Sequence, residues 1–388
     1  MCIAMKQTTI KEINEYKSKS IDPRKEPETV FEMYSVPAYS TGHPEYLSGE
    51  QIASNKVIVE KNDILLCKIN PRINRVWVVQ DESEKQNIAS SEWIVIRTKK
   101  YNPEYLAWYF QSPKFKQLMV SEVTGIGGSL TRAQPKRVAN YPVPNIEREK
   151  QDEIVKRLNL LHDSIQKRKE EIQLFDELIK ARFVEMFGTF PTNEKKWETG
   201  IIKDLVNEVR YGSSRKAAEG NSGKYPYLRM NNITYNGELD LTDTKTIDIP
   251  DKELDKCTVR RGDLLFNRTN SKELVGKTCV YNRDEIMVLA GFVVRVRLNK
   301  KALPEFVSAF LNTDFSKKML LNKCKTAIGQ ANINAQELQS IGIYIPPIEK
   351  QKKFVSFKAQ VDKSKAVIQK SIDQTQMLFD SLMQEYFS

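Results

Sequence analysis

A chain of 388 residues is longer than one typical core and implies two or three domains. With 40% hydrophobic and 29% charged residues it is globular rather than disordered, and its net charge of +11 favours a polyanionic partner without specifying a fold. Five cysteines with no CxxC pair, and only two histidines (His43 and His162), argue against a disulfide framework, a cysteine-rich zinc site and Ser-His or Cys-His catalysis.

The first residues, MCIAMKQTTIKEINEY, lack the apolar core of a signal peptide. No apolar run approaches the ~20 residues of a membrane span, so a cytoplasmic, reducing setting is expected. In EKNDILLCKINP, residues 60–71, Asp63 precedes three large apolar residues and a polar, basic run. YNPEYLAWYFQSPKFKQLM, residues 101–119, opens on Pro-Glu, which suits a helix start, and carries Tyr105 and Tyr109 at helical spacing. A glycine-bearing loop, TGIGGSLTRAQ, follows, and then NYPVPNIEREKQ, an extended segment closed by proline.

Residues 149–187 contain neither Pro nor Gly. Ile154, Leu158, Leu161, Ile165, Ile172, Phe175, Ile179 and Met186 fall in steps of four and three, with Arg168 and Arg182 on two seam positions. This is a coiled-coil register, and a helix of ~40 residues would be ~60 Å long. Gly188 and Pro191 end it. GTFPTNEKKWETG then connects to a second unit.

The second unit repeats the order of the first. RRGDLLFNRTNS, residues 260–271, matches EKNDILLCKINP; KALPEFVSAFLNTDFSKKML, with Phe306 and Phe310, matches the first helical stretch; TAIGQANINAQ matches the glycine loop; and IYIPPIEKQ matches NYPVPNIEREKQ. A second uninterrupted helix is predicted over 350–386, with Phe354, Phe357, Val361, Ile368, Leu378 and Leu382 on its seam and Ser364, Ser371 and Thr375 among them. Self-similarity at a fixed offset, here about 200 residues, points to a duplicated unit. Neither helix can keep such a stripe in water, so the two are expected to pack antiparallel on each other. The expected organisation is α+β: a domain at 1–146, a long helix at 147–188, a domain at 189–348 and a long helix at 349–388.

Two motifs invite a catalytic reading. NPEY, from Asn102 to Tyr105, is one substitution from the Asn-Pro-Pro-Tyr of adenine methyltransferases, but the second proline is Glu104 and the other copy reads LPEF. A helix start accounts for both copies. TGIGGSL follows a predicted helix rather than a strand and lacks GxGxxG spacing. No Walker motif, HExxH or nuclease-type carboxylate cluster occurs, so the chain reads as a binder.

The loops carry the side chains of a nucleic-acid surface. VRYGSSRKAAEGNSGKYPYLRMNNI gathers Tyr211, Ser213, Ser214, Arg215, Lys216, Arg229, Asn231 and Asn232. FNRTNSKELVGK adds Arg268, Thr269, Asn270, Ser271, Lys272 and Lys277, and the second glycine loop adds Gln330 and Asn332. The first unit offers Lys68, Asn70, Arg72, Asn74 and Arg75, with Ser129, Thr131 and Arg132 in its glycine loop. Arg and Asn suit guanine and adenine edges, while Lys, Ser and Thr suit phosphates.

GDLLFNRTNSKELVGK, the YGSSRKA…YPYLRMNNI stretch, IPPIEKQKKFV and VPNIEREKQDEIVKRL opening long helices, and LIKARFVEMFG closing the central one together resemble the specificity (S) subunit of Type I DNA restriction-modification enzymes. The resemblance covers essentially the whole chain and is sharper in the second half. It implies two α/β target-recognition domains in tandem, each reading one half of a split double-stranded DNA site, with the antiparallel helices fixing the separation. It implies no catalytic residue and no cofactor in this chain. S-adenosylmethionine would be bound by two modification subunits that methylate adenine N6, and ATP and Mg by restriction (translocase) subunits. A DNA methyltransferase, or a coiled-coil adaptor with two basic domains that reads no sequence, are the alternatives.

Overall fold

The computed structural model of the chain describes residues 7–80, 82–121, 131–327 and 330–388. The chain forms two compact units: one runs up to Arg168 and takes in Ser371–Ser388, the other is Lys169–Lys370. Among the described residues, no helix is long and apolar enough to cross a membrane.

In the first unit the strand Ile64–Cys67 lies between Val76–Val78 and Trp93–Ile96 in an antiparallel sheet. Ile64 and Leu66 face a core shared with Tyr105, Leu106 and Phe110 of the helix Pro103–Gln111. Leu65 and Cys67 face the opposite way, into a second core with Tyr34, Trp77 and Trp93. A strand covered on both faces has no solvent side, which is why ILLC is an unbroken apolar run rather than an alternating one. The second core borders a five-stranded sheet built on Val30–Tyr34 and Asn87–Ala89, which pair in parallel.

The second unit repeats this plan. Leu264–Asn267 pairs antiparallel with Thr278–Val280 and Val293–Leu298. Leu264 and Phe266 pack with Phe306, Val307 and Phe310 of the helix Pro304–Leu311, while Leu265 packs with Leu228, Cys279 and Leu289 on the other face. Even the register is repeated, since Ile64 pairs with Ile96 and Leu264 with Val296. Both strands start from the same turn: the Asp63 amide donates to the Glu60 carbonyl at 3.0 Å and the Asp263 amide to the Arg260 carbonyl at 3.0 Å. In each turn the Asp carboxylate also accepts the first residue's own amide, at 2.9 Å in both.

The long helices are Arg148–Phe187 and Ile348–Phe387. They run antiparallel within each unit. In the first, the seam residue Arg168 donates to the seam residue Thr375 at 3.0 Å, and Arg157 donates to the Tyr386 hydroxyl at 3.2 Å. In the second, Arg182 lies 5.6 Å from the centre of the Phe357 ring, and Phe183 stands edge-on to Phe354 with centroids 5.2 Å apart. Ile154, Leu158 and Ile165 are buried as the heptad register requires, and the remaining apolar seam positions of the central helix are half-buried. The helix stops at Gly188, whose φ of 81° is left-handed and whose amide donates to the Val184 carbonyl at 2.7 Å.

One buried side chain fastens each helix start to its unit. The Gln151 carboxamide accepts from the Asn102 amide at 2.8 Å and donates to the Ile146 carbonyl at 2.9 Å. Gln351 does the same with the Leu303 amide, at 2.8 Å, and the Pro346 carbonyl, at 2.8 Å. Buried backbone groups at a helix entry need partners, and these two glutamines supply them.

Candidate nucleic-acid interface

In the second unit a cleft of about 590 Å³ opens beside the strand Leu264–Asn267, and Ser213, Ser214, Arg215, Lys216, Arg229, Asn231 and Arg268 all line it. Residues far apart in the sequence reach one place because the strands carrying them are neighbours. The Gly212 amide donates to the Val293 carbonyl at 3.2 Å and the Ser213 amide to the Leu289 carbonyl at 2.7 Å. A Cβ at Gly212 would lie 2.3 Å from the Ala290 carbonyl oxygen, so only glycine permits this approach.

The cleft is cationic, but its cations are held differently. Arg215 is exposed and paired with Glu253, at 2.8 and 3.3 Å, which holds the guanidinium above its ordinary pKa. Arg229 donates to the Asp243 carboxylate at 2.9 Å. Arg268 stacks 5.0 Å from the centre of the Tyr211 ring and points one Nη at the Gly291 carbonyl, 3.4 Å away. Buried Nε–H groups of both Arg229 and Arg268 have no partner among the described residues. Lys216, Ser214 and Asn231 are exposed.

Other residues singled out by the sequence face inward. Asn232 is buried and donates to the Asp240 and Asp243 carbonyls, at 2.8 and 3.2 Å, while its carbonyl oxygen accepts from the Arg229 amide at 2.9 Å. Lys277 is buried, donates to the Met230 carbonyl at 2.9 Å and has its pKa lowered by that burial. Thr269 accepts from Asn332 at 3.1 Å, which pins the strand Thr269–Asn270 to Gln330–Asn332. The Ser213 hydroxyl is buried and accepts from the Arg215 amide at 3.2 Å. These four shape the loops. Tyr211 also accepts from the Ala335 amide at 3.0 Å, and the Asn270 side chain accepts from the Ser271 amide at 2.9 Å. Lys272 lines a separate 290 Å³ pocket with Lys317 and Lys318, and Gln330 is exposed.

In the first unit the corresponding place is built from the same backbone bonds. The Lys68 amide donates to the Glu92 carbonyl at 3.1 Å, as Arg268 does to Phe292 at 3.0 Å. The Lys68 ammonium donates to the Ser91 carbonyl at 2.6 Å, as Arg268 does to Gly291. Ile69 bridges Arg132 as Thr269 pairs with Asn332, and the Ala133 and Ile333 amides donate to the Lys68 and Arg268 carbonyls at 2.8 Å each.

The remaining first-unit candidates sit around this frame. Arg132 is exposed and donates to Glu92 at 3.1 Å. Asn70 and Asn74 take left-handed φ values of 46° and 48°, and Asn74 donates to the Phe110 carbonyl at 3.0 Å. Arg72 is exposed, Arg75 half-buried near Cys67, and Thr131 buried. Ser129 lies outside the described residues.

The catalytic motif dissolves in the fold. The Asn102 carbonyl oxygen accepts the Glu104 and Tyr105 amides as a helix cap, at 2.9 and 3.3 Å, and its NH₂ donates to Asp152 at 2.7 Å. Tyr105 is fully buried in the core. Two residues at the interface carried no signal in the sequence, Phe292 and Glu92. Only their matched offset from Arg268 and Lys68 singles them out.

The family model for the Type I restriction modification DNA specificity domain matches residues 194–375. The Type I restriction enzyme EcoKI specificity subunit of Escherichia coli (strain K12) is 22% identical over an alignment of 295 residues that covers 72% of this chain and 63% of that protein. The chain therefore spans less than two thirds of that relative's length. A chain in a solved structure concerned with complex assembly and conformational transition of the type I R-M system has 19% identity and a TM-score of 0.57, covering 98% of this chain and 97% of that one. The Type-I restriction-modification system S subunit from M. genitalium has 12% identity and a TM-score of 0.55, covering 100% of this chain and 98% of that one. The duplicated frame, the paired long helices and these likenesses agree: residues 194–375 match the Type I restriction modification DNA specificity domain, and the chain as a whole shares the fold of the solved S subunit.

Proposed function

We propose that this chain reads a two-part double-stranded DNA site, one part with each unit, and performs no chemistry itself. The observation that carries this reading is the frame made twice at a constant offset of 200 residues, with the same backbone bonds at Lys68 and Arg268 but different exposed side chains around them. A repeated scaffold with changed tips is what reading two different sequences requires. The contacts come from the under-bonded Arg268 and Arg229, the exposed Asn231, Gln330, Arg72 and Arg132, and the half-buried Asn270, Lys68 and Asn70. Base-edge contacts of this kind each discriminate by ~1–3 kcal/mol. Lys216, Lys272, Ser214 and the net charge supply the sequence-independent, salt-dependent part of the affinity.

In this reading the target-recognition domains are 1–146 and 189–348. The helices set the separation of the two DNA segments, and their outer faces dock two modification subunits. Those subunits would bind S-adenosylmethionine and methylate adenine N6, and restriction subunits would use ATP and Mg. The setting is the cytoplasm. Mapping methylated adenine across the genome of the source cell, with and without this gene, tests it. Loss of one bipartite motif is expected; an unchanged methylation map in cells that express the chain and its modification partners would overturn it.

A further inference from the structure

Phe292 is 49% exposed on the wall of a cleft where Arg215, Lys216, Arg229 and Arg268 stand beside Ala217, Tyr227 and Met230. A lone exposed apolar side chain ordinarily needs no explanation. Two features set this one apart. Its turn is rigid: the Gly291 amide donates to the Ser213 carbonyl at 2.7 Å, the Val293 amide to the Ala290 carbonyl at 2.9 Å, and the Arg268 amide to its own carbonyl at 3.0 Å. The matching turn of the first unit keeps two of these bonds, from Trp93 to Ser90 at 3.1 Å and from Lys68 to Glu92 at 3.1 Å, yet presents the carboxylate of Glu92, held by Arg132 at 3.1 Å. The bonds that fix the tip residue are shared, and its side chain has changed from carboxylate to phenyl.

We propose that Phe292 is a specificity-determining residue that meets the 5-methyl group of a thymine in the DNA segment read by the second unit. The inference rests on the reading of this cleft as a DNA surface. Its neighbours favour nucleic acid over an apolar partner, because Arg229 and Arg268 bring cationic heads and unmet Nε–H donors to the same cleft. In the major groove the thymine methyl is the apolar feature of the base edges, set beside acceptors that a guanidinium can reach. A phenyl ring held beside Arg268 matches that pairing of apolar and acceptor groups.

The test uses the full chain, purified from its own cells with whatever subunits it carries, and two random-sequence duplex libraries, one with thymine and one with deoxyuridine throughout. Selection from the thymine library is expected to yield a motif in which one thymine is preferred roughly tenfold. That preference disappears from the deoxyuridine library, and also from the thymine library when the protein is Phe292→Ala, while the other block of the motif stays unchanged. Phe292→Leu, which keeps an apolar tip, retains a weaker preference, and matching thermal melts establish that both variants fold. A motif that survives both changes would overturn the inference and leave the DNA reading standing. A position lost with Phe292→Ala but kept on deoxyuridine would overturn the methyl contact as well. No selected motif at all, from the unaltered protein on either library, would bring down the DNA reading itself.

Discussion

Arg97 donates two hydrogen bonds of 2.7 Å to Asp63, which is buried at the foot of the strand Ile64–Cys67. Arg297 grips Asp263 in the same way, at 2.9 and 3.4 Å, at the foot of Leu264–Asn267. Asp63 holds its guanidinium above the ordinary arginine range, with burial opposing the shift. The Asp of the repeated motif thus closes a turn with one oxygen and anchors the neighbouring strand with both. Each arginine is partly exposed, but each carboxylate is not, so the cost of breaking the pair falls on the carboxylate.

Arg297→Met should therefore destabilise the second unit by roughly 3 kcal/mol, because it leaves a buried charge without its partner. Urea unfolding followed by a probe in residues 169–370 measures this. Asp263→Asn together with Arg297→Met should recover part of the loss. A double variant as unstable as the single one would show that the pair contributes more than mutual neutralisation.

Gln351→Ala should cost about 2 kcal/mol, since it leaves the Leu303 amide and the Pro346 carbonyl inside the protein without partners. Gln151→Ala should cost a similar amount in the first unit. Amide hydrogen exchange at Leu303 or Asn102 reports the lost bond directly, and unchanged protection would contradict the assignment.

Arg268→Ala and Lys216→Ala should separate base reading from phosphate binding. The first is expected to relax one position of one block by ~1–3 kcal/mol and leave the other block alone. The second should weaken binding to all sequences alike and lower the salt dependence by about one phosphate contact. Competition binding at several salt concentrations distinguishes them.

A matched insertion of seven residues into both long helices, at the junctions of the two units near Arg168 and Lys370, preserves the heptad register. It adds ~10 Å of helix. The expected outcome is an altered spacer in the methylated motif with both blocks intact. An unchanged spacer would count against the helices as the ruler.

Lys317 provides a pH signature. Burial, with Lys180 adding repulsion, pushes its ammonium down to about 8, while its Nζ sits 3.2 Å from the centre of the Tyr235 ring. An unfolded lysine titrates near ~10.4. Between those values the unfolded chain holds a proton that the folded chain has released, so this residue makes stability rise with pH across that window. Compared with Lys317→Met, the native protein should gain relative stability from pH 7.5 to 10. A flat difference would show that the lysine titrates normally.

Several residues show how much the chain alone disclosed. Asp63 and Asp263, with the apolar triplets behind them, stood out because local patterning and repetition are both visible in one dimension. The long-helix seams did too, and Arg168 and Thr375, both read as seam positions, meet at 3.0 Å. Asn232 and Lys277 looked like surface readers, as Asn and Lys in a loop generally do. Their burial depends on the carbonyls of Asp240, Asp243 and Met230, which distant pairings bring near. Phe292 gave no periodic or compositional signal.

Duplication, the α+β plan and the register of the two helices were legible along the chain, because each follows from residue spacing. Which loop cations line the cleft, as Arg229 and Arg268 do, and which are buried, as Lys277 is, came from the fold. It also placed Phe292 and Glu92 at equivalent tips. The physical reason is that burial and hydrogen-bond partnership arise from strands that meet across long stretches of chain, here Gly212 against Ala290 and Arg268 against Phe292.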